Sequence, residues 1–576
     1  MLENIKVKIN IQKYIIILLL LFLIVIPMSF GVPTQPKIIS RNKWKANNPI
    51  CTLEKQPYFN MITIHHTATS NTQSDSENIV RSIQKYHQKE RKWCDIGYHF
   101  LIDKNGKIYE GRPLWAIGAH VAKHNIGNIG IALIGNYEET MPSNKSIEAL
   151  TDLVAWLVYN YNIPIGNIKG HKDFSNTLCP GKHLYSLLPK IKRKVASTVY
   201  GFGNGFGKAV WWGIYSDYWS SNKSVWEKQI REAFNVLKEL GIDTVFFMVK
   251  DPWGYAYYNS SILPLSNKYD WDPLKYIIKY CREYNISIHV YINVLAEGDS
   301  EPNDYLKSNL DIALRDQNDK ILGWVDPSSE KHLKRIISII REILEKYNVD
   351  GIQLDRIRLP GNAHILPITE KEFREEYGLA PSQDWKKWID FKADKLTTFV
   401  KKIREAIKEF NPDIRFSAAV IPNSLRAKTV LAQDWQKWLR KGILDFVAIM
   451  SYSSSEIGFE NYLNDAVEAS NGTRPVYLGI GVFMSDMDSD MLKKEIIKSF
   501  ENVDIYGVVF FNVDTLLKDK VKRAVIKETL SKLNYDIELS EGKNNTLLYF
   551  VGGGILLLVL TLLFLLKITV FRKKEK

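Results

Sequence analysis

The sequence predicts two α/β units in series, the second of them a (β/α)8 barrel, between two apolar terminal segments. Short apolar runs alternate with amphipathic helices through the second half of the chain, which is the pattern of a parallel barrel. Four glycines within residues 201–207 indicate a linker, because a glycine-rich backbone is costly to order. Long uncharged runs near both ends indicate membrane-directed segments.

The composition excludes several classes of protein. With 576 residues the chain has room for three or four folding units of about 150 residues, and one barrel takes up two of them. Apolar residues at 45% and charged residues at 24% exclude wholesale disorder, and four cysteines exclude a disulfide scaffold. The net charge of +13 is a mild bias over this length. It does not indicate a nucleic-acid binder, and it suits an anionic cell wall or membrane surface.

Residues 1–31 are typical of a secretory signal peptide. Lys6, Lys8 and Lys13 precede an apolar run at residues 15–27, and the small residues Ser29 and Gly31 precede a cleavage site after Gly31. An uncleaved signal anchor is the alternative. In either case the chain that follows is exported.

Residues 547–566 are predicted to form a transmembrane helix. At ~1.5 Å per residue this uncharged run extends about 30 Å, the thickness of the hydrocarbon core of a bilayer. Residues 567–576 are rich in Lys and Arg, which places them in the cytoplasm by the positive-inside rule. With residues 536–546 as a polar stalk, the predicted location is the cell membrane, with an extracytoplasmic ectodomain that faces the wall. No pattern in the sequence indicates an oligomeric state.

The first unit is predicted to span residues 36–200. Its elements, in order, are a strand at 61–64, a helix at 74–89, a hairpin with strands at 97–102 and 107–110, a strand at 128–135 and a helix at 147–161. Ser74 with Glu77 fits a capping box at the start of the first helix. A loop at residues 170–181 follows these elements and carries polar and metal-binding residue types.

Three residues of this unit could hold a metal. His65 stands at a strand end, and His171 and Cys179 lie in one loop. Zinc accepts imidazole nitrogen and thiolate sulfur, and a catalytic site keeps its fourth position open. From the residues alone other interpretations stay open, because a histidine at a strand end is often packed or hydrogen-bonded, and Cys179 could be a disulfide partner.

A resemblance to a known family favours the metal site. Six motifs resemble, in order, those of the type 2 N-acetylmuramoyl-L-alanine amidases and of the peptidoglycan recognition proteins that share their fold: SRNKW at 40–44, IHHTA at 64–68, DIGYHFLI at 95–102, YEGR at 109–112, IGN at 134–136 and GHKDFSNTLCPG at 170–181. The resemblance covers about 150 residues. It implies a mixed-sheet zinc amidase domain that acts on peptidoglycan.

Carried over by position, the resemblance implies one Zn²⁺ held by His65, His171 and Cys179. It implies a catalytic role for Tyr98, and it places Thr177 at a position that is Lys in phage enzymes and Thr in many recognition-protein amidases. The implied reaction is metal-assisted hydrolysis of the amide between N-acetylmuramic acid and L-Ala.

The resemblance also places His120 and Arg112 along the substrate groove. The rival class with the same fold is a non-catalytic peptidoglycan receptor, and such receptors typically lose the cysteine ligand. The presence of Cys179 therefore favours the enzyme.

The sequence predicts different states for the three remaining cysteines. Cys51 and Cys94 are candidates for one disulfide in an oxidising exterior, and two free thiols are the alternative. Cys281 lies in a predicted helix and is expected to be a small buried hydrophobe.

The second unit, residues 208–533, is predicted to be the barrel. Its eight strands are predicted at 210–215, 244–249, 287–293, 351–354, 415–420, 446–450, 476–480 and 507–511. Four motifs resemble the glycosyl-hydrolase-like family 10 barrels: GIDTVFF at 241–247, WVDP at 324–327, VDGIQLDRIRLP at 349–360 and WLRKGILDF at 438–446.

Barrel enzymes carry their active sites at the C-terminal ends of the strands. Polar residues that follow the predicted strands include Asp355, Glu297, Arg358 and Tyr452. By the resemblance Asp355 is the best candidate for a catalytic carboxylate. Glycoside hydrolysis normally needs two carboxylates, and Glu297 is the weak choice for the second. Arg358 and Tyr452 are expected to bind substrate. A barrel that only binds glycan is the alternative.

Together these patterns predict a membrane-anchored extracytoplasmic peptidoglycan hydrolase, in which a zinc amidase is followed by a glycan-cleaving barrel. A glycan strand freed of its stem peptides would be a natural substrate for that barrel. Two alternatives stay open: a wall-binding sensor without turnover, and a glycosidase that uses the amidase fold for targeting.

Overall fold

The computed structural model describes residues 33–72, 75–200, 206–214, 216–502 and 504–540. The predicted signal segment, transmembrane helix and basic tail lie outside these residues, as do residues 201–205 of the linker and 541–546 of the stalk. Of the residues that the structure describes, no helix is both long and apolar enough to span a bilayer.

The first unit is built on a six-stranded mixed sheet with strand order β1–β4–β3–β5–β2–β6. Strands β3 and β4 form the predicted antiparallel hairpin, and the other neighbouring strands are parallel. The bounds are β1 Ile38–Ile39, β2 Met61–His66, β3 Phe100–Ile102, β4 Ile108–Glu110, β5 Asn128–Leu133 and β6 Ile168–Gly170. The mixed sheet that the family resemblance implies is therefore confirmed.

Three helices accompany this sheet: α1 Ser76–Lys89, α2 Asn144–Tyr161 and α3 Lys182–Tyr200. The Asp75 side chain accepts the backbone N–H of Asn78, so Asp75 caps α1. The predicted cap, Ser74, lies outside the described residues. Helix α2 begins three residues earlier than predicted because Ser143 supplies its cap. Helix α3 and the short strands β1 and β6 are not among the predicted elements.

The disulfide predicted between Cys51 and Cys94 is present. It joins the segment before β2 to the loop that leads to Asp95 and Tyr98. Cys281 is buried in the barrel, as expected for a small hydrophobe. The disulfide therefore fixes the position of the loop that precedes Tyr98.

Removing this disulfide is expected to destabilise the first unit. The two cysteines are 43 residues apart, and closing a loop of that length lowers the entropy of the unfolded chain by an amount worth about 4 kcal/mol. The paired change Cys51→Ser and Cys94→Ser should lower the free energy of unfolding by that amount in denaturant titrations. Reductant should destabilise the parent chain and leave the paired variant unchanged. A reductant effect of equal size in both proteins would contradict this prediction.

The second unit is a closed parallel barrel with strand order β7–β8–β9–β13–β14–β15–β16–β17 and back to β7. The barrel strands are β7 Gly207–Trp212, β8 Thr244–Lys250, β9 Ser287–Asn293, β13 Gly351–Asp355, β14 Arg415–Val420, β15 Phe446–Ile449, β16 Val476–Ile480 and β17 Gly507–Phe511. All eight predicted strands are confirmed. The first begins three residues earlier than predicted, and Tyr215 lies outside the described residues.

Helices follow the barrel strands and cover the outside of the barrel, and their apolar faces join its core. The helices are Lys223–Glu239, Pro273–Glu283, Glu330–Lys346, Pro367–Tyr377, Trp385–Phe410, Glu456–Ser470, Ser489–Glu501 and Lys520–Ser540, with shorter ones at Asp304–Lys307, Ser424–Leu431, Trp435–Arg440 and Val513–Lys518. The last long helix includes residues 536–540, which the sequence assigned to a stalk.

An antiparallel insertion follows β9 and has no counterpart in the sequence prediction. It contains β10 Ala296–Asp299, β11 Ala313–Arg315 and β12 Ile321–Val325, with β12 in the middle. Because it leaves the C-terminal end of a barrel strand, it lies on the face where such barrels carry their sites. It brings Trp324 and Asp299 to Arg356, which follows β13.

Candidate functional site

The three predicted metal ligands come together at one edge of the first sheet. Strands β2 and β6 are parallel neighbours, and Ile64 pairs with Gly170. His65 and His171 each follow that pair, so their rings lie side by side with centroids 4.6 Å apart. The loop after β6 returns Cys179 to the same place. The ligand atoms of the three residues all lie within 4.8 Å of one another.

The geometry of this cluster fits zinc. Bonds of about 2.1 Å to nitrogen and 2.3 Å to sulfur in a tetrahedron place the two ligand atoms about 3.6 Å apart. His65 Nδ1 and Cys179 Sγ are 3.6 Å apart. Two imidazoles and one thiol are a typical zinc donor set, and three protein ligands leave one position open. The backbone N–H of His66 also points at the sulfur, at 3.4 Å, and favours a thiolate there.

His120 fixes the orientation of His65. Its Nε2 lies 3.2 Å from the carbonyl oxygen of Asn128, and a carbonyl accepts only from a protonated nitrogen. Its Nδ1 is therefore the acceptor for His65 Nε2–H, at 3.1 Å. This leaves the lone pair of His65 Nδ1 directed at the cluster. His120 also lines the neighbouring cavity, so its predicted place beside the groove and this positioning role are compatible.

Burial sets the charge states around the cluster. It lowers the pKa of His65 well below its ordinary value, with His120 and His171 adding to the effect, so the imidazole is neutral and able to bind a metal. Burial raises the pKa of the Cys179 thiol to about 12. A cation bound beside the sulfur is what would favour the thiolate.

Tyr98 and Thr177 border the cluster. The Tyr98 ring centroid lies 5.2 Å from that of His65. Burial, and then Cys179, raise the pKa of Tyr98, so its hydroxyl keeps its proton and can donate a hydrogen bond. The Thr177 oxygen accepts the backbone N–H of Cys179 at 3.2 Å, which shapes the loop and leaves the Thr177 hydroxyl proton available to donate.

A cavity of about 890 Å³ opens beside the cluster. Tyr98, His120 and His171 line its floor, and α1 with the loop after it forms a wall that includes Tyr86, Arg91 and Trp93. Sequence reasoning did not identify this wall. The one sequence feature that could have indicated the wall is Tyr86, an aromatic residue on the polar face of an amphipathic helix. In the structure 49% of its surface is exposed. The wall therefore offers aromatic, cationic and polar side chains to a ligand in the cavity.

Arg112, predicted to line the groove, is not among the residues that line this cavity. Its side chain is buried, and its nitrogens donate to the carbonyl oxygens of Ile96, Ile117 and Asp95 at 2.8–3.1 Å. These bonds occupy the guanidinium within the protein. Arg112 therefore braces the backbone just before Tyr98, and its contribution to the site is structural.

Loss of the His120 hydrogen bond is expected to weaken metal binding. Groups that orient metal-bound histidines typically contribute 10- to 100-fold to affinity, so His120→Ala should raise the zinc dissociation constant by about that factor. His120→Gln supplies an amide oxygen as acceptor and should recover part of the loss. The exposed His124 offers a matched control in His124→Ala. Equal zinc affinity in all four proteins, measured by competition with a chromophoric chelator, would contradict the positioning role.

Three other predicted residues lie near one another at the mouth of the barrel, where Asp355 interacts electrostatically with Tyr452 and Arg358. Asp355 ends β13, and its carboxylate accepts the backbone N–H of Arg356 at 2.7 Å. Burial, and then the charge of Asp355, raise the pKa of Tyr452, which follows β15. The guanidinium carbon of Arg358 lies 5.5 Å from the ring centroid of Trp324. Burial likewise raises the pKa of Asp355.

Glu297, the weak choice for a second catalytic carboxylate, lies in a buried ion pair. Its side chain has no exposed surface, and it lies 3.3 Å from the equally buried Lys250. Asn303 donates a further hydrogen bond to it at 2.7 Å. Lys250 Nζ also donates hydrogen bonds to the backbone carbonyl oxygens of Asn293, at the end of β9, and Ala296, at the start of β10. The pair therefore holds β8 to the insertion, and a catalytic role for Glu297 stays a prediction.

Comparisons with known proteins agree with this division of the chain. Residues 54–182 match the family model described as N-acetylmuramoyl-L-alanine amidase, and residues 208–494 match the one described as glycosyl hydrolase-like 10. Peptidoglycan recognition protein 1 of Bos indicus is 37% identical over 155 residues, which cover 26% of this chain and 82% of that protein.

Two further relatives show how much of the chain is shared. Peptidoglycan recognition protein 3 of Homo sapiens is 39% identical over 155 residues, or 27% of this chain, and the match spans about half of that relative, at 46%. The solved N-acetylmuramoyl-L-alanine amidase LysC from Clostridium intestinale has 35% identity over 28% of this chain and 98% of its own, with a TM-score of 0.25. By its first unit the chain belongs to the peptidoglycan recognition protein and type 2 amidase family, and a glycosyl hydrolase-like 10 domain follows that unit.

Proposed function

We propose that the chain is a peptidoglycan hydrolase whose first unit cleaves the amide bond between N-acetylmuramic acid and L-Ala. The observation that carries this proposal is the convergence of His65, His171 and Cys179 beside an open cavity. The family model matched by residues 54–182 and the names of the relatives support the same substrate class. Water adds across the amide, so the products are a muramoyl carboxylate and a stem peptide with a free alanine amine.

Each residue of the cluster has a part in this reaction. His65, His171 and Cys179 would hold one Zn²⁺, which when bound supplies Lewis-acid polarisation of the carbonyl and activation of water. Tyr98 keeps its proton and would donate a hydrogen bond to the oxygen that becomes negative in the transition state. Thr177 holds the Cys179 loop and offers a second donor.

The proposal is tested by incubating the purified full chain with purified peptidoglycan and measuring soluble stem peptide. We expect release that a chelator abolishes and added Zn²⁺ restores. Peptidoglycan binding without release, by protein shown to contain zinc, would make the first unit a recognition module and refute the proposal. The complete cluster, including Cys179, is the observation that favours the enzyme over the receptor.

We also propose that these units act outside the cytoplasm, tethered to the membrane. The apolar sequences of residues 1–31 and 547–566 support this location. The disulfide between Cys51 and Cys94 supports it independently, because such bonds persist in oxidising compartments. Labelling of intact cells with a membrane-impermeant amine-reactive reagent, before and after removal of the wall, tests this location. We expect labelled lysines in the ectodomain, and an ectodomain left unlabelled after removal of the wall would contradict the proposal.

For the barrel we propose an activity on the glycan, with Asp355 as the carboxyl group that contacts substrate. Its position at the C-terminal end of β13 and the family model matched by residues 208–494 support this proposal. Asp355→Asn should abolish cleavage of glycan chains and leave stem-peptide release unchanged. Cleavage that survives this change would exclude Asp355 from the reaction.

A further inference from the structure

We infer that Arg358 is the specificity-determining residue of the barrel mouth, and that it binds the carboxylate of an acidic amino sugar. The sugar that fits is N-acetylmuramic acid with a free lactyl carboxylate, as found in glycan that has lost its stem peptides. This assignment rests on the proposed function, because the amidase reaction is what produces that carboxylate. The barrel would then bind selectively the glycan that the first unit produces.

The first argument is that the Arg358 guanidinium has no ion pair or hydrogen bond within the described residues. The side chain is half-buried, and its Nε atom is fully buried with no hydrogen-bond acceptor among the described residues. Asp355 acts on it electrostatically, yet the described part of the chain forms no ion pair or hydrogen bond with this guanidinium. A half-buried guanidinium is costly to leave unpaired, so an anion is the expected complement.

The second argument is that the neighbouring arginine is already satisfied. Arg356 forms an ion pair with Asp299 of the insertion, and its guanidinium carbon lies 5.5 Å from the Trp324 ring centroid. Arg358 lies at the same distance from that ring without such a pair. Asp355 and Asp299 act on Arg358 with negative charge, and Arg356 and Arg426 with positive charge. Of the two arginines beside Trp324, Arg358 is therefore the one left to pair with a negative group of a ligand.

The third argument is the aromatic surface across the mouth. The rings of Tyr452, Phe483 and Phe511 pack on one another with centroids 5.4–5.6 Å apart. Phe483 is 48% exposed, which leaves an apolar face for a ligand. Sugar rings commonly lie on aromatic faces, while a planar guanidinium binds a carboxylate with two parallel hydrogen bonds. A sugar that bears a carboxylate satisfies both features.

The chemistry of the two units then sets an order of action. In intact peptidoglycan the lactyl group is a neutral amide that carries a bulky peptide. Hydrolysis replaces that amide with a carboxylate and removes the peptide. Arg358 would therefore select chains that the amidase has already processed, since only these present a small anion at each muramic residue.

The experiment compares soluble glycan chains in three forms: with free lactyl carboxylates, with the carboxylates reduced to alcohols, and with stem peptides retained. Binding is measured by calorimetry with the purified full chain carrying Cys179→Ser and Asp355→Asn, so that neither unit cleaves the ligands. Excess free stem peptide is present throughout, so that the groove of the first unit is occupied. We expect the carboxylate form to bind about 10- to 100-fold more tightly than either of the others. Equal binding of the carboxylate and alcohol forms, equal binding of the peptide-bearing chains, or no binding at all would overturn the inference.

Variants assign this preference to Arg358. Arg358→Gln should abolish the preference for the carboxylate form, whereas Arg358→Lys should retain part of it through charge alone. The exposed Arg440, on the helix that leads into β15, offers a matched control in Arg440→Gln. A preference that survives Arg358→Gln would overturn the assignment. Stem-peptide release by chains with an intact Cys179 should be unaffected by these changes, so failure here is distinguishable from failure of the proposed amidase.

Discussion

Cys179→Ser should remove zinc from the first unit and reduce stem-peptide release to background. The thiolate is the anionic member of the cluster, and a serine hydroxyl does not ionise near neutral pH to replace it. Because a group that only orients a ligand contributes 10- to 100-fold to metal affinity, loss of a ligand itself should cost more than about 100-fold. Metal content by atomic emission and peptide release by chromatography measure the two effects.

The control for this change is Cys281→Ala, at the other free cysteine among the described residues. That residue is buried in the barrel, so its replacement should leave both zinc content and amide cleavage unchanged. Full release of stem peptide by Cys179→Ser would contradict the metal site. Loss of zinc in both variants would point to general damage and would also count against the assignment.

Tyr98→Phe should slow amide cleavage by about 10²- to 10³-fold while zinc stays bound. The change removes one hydroxyl and keeps the ring that packs 5.2 Å from His65. A donor that acts on the developing oxyanion affects the rate constant more than the Michaelis constant. Steady-state kinetics on a soluble muramoyl peptide, with metal analysis of the same samples, measure this split.

Tyr86 lines the same cavity from helix α1, so Tyr86→Phe is the matched control and should retain nearly full turnover. An unchanged rate constant in Tyr98→Phe would exclude Tyr98 from catalysis. Loss of zinc from that variant would instead make Tyr98 a structural support for the cluster.

The barrel could be predicted closely because its strands are buried on both faces. Such strands read as continuous apolar runs bounded by polar helices, and that pattern survives in a single sequence. The insertion of β10–β12 could not be predicted in the same way, since its strands of three to five residues pair antiparallel and lack a long periodic pattern. Helix α3 was not predicted either, although it begins directly after the loop at residues 170–181 that carries the metal-binding motif.

The metal cluster could be predicted because the family motifs fall on His65, His171 and Cys179 in order. The residues alone left that interpretation open, since the pairing of β2 with β6 is what brings the histidines together. Arg112 and Glu297 are polar residues in the expected segments, but both are buried and bonded to partners within the protein. A sequence does not show which partners a fold provides.

The central claim is that this chain hydrolyses the muramoyl–alanine amide, and the most direct measurement is product analysis after digestion of peptidoglycan in water enriched in oxygen-18. Hydrolysis at this bond predicts stem peptides that begin with unlabelled alanine, together with glycan that carries one heavy oxygen in each new lactyl carboxylate. Glycan fragments labelled only at their reducing ends, with every peptide still attached, would contradict the claim and identify the barrel as the principal enzyme.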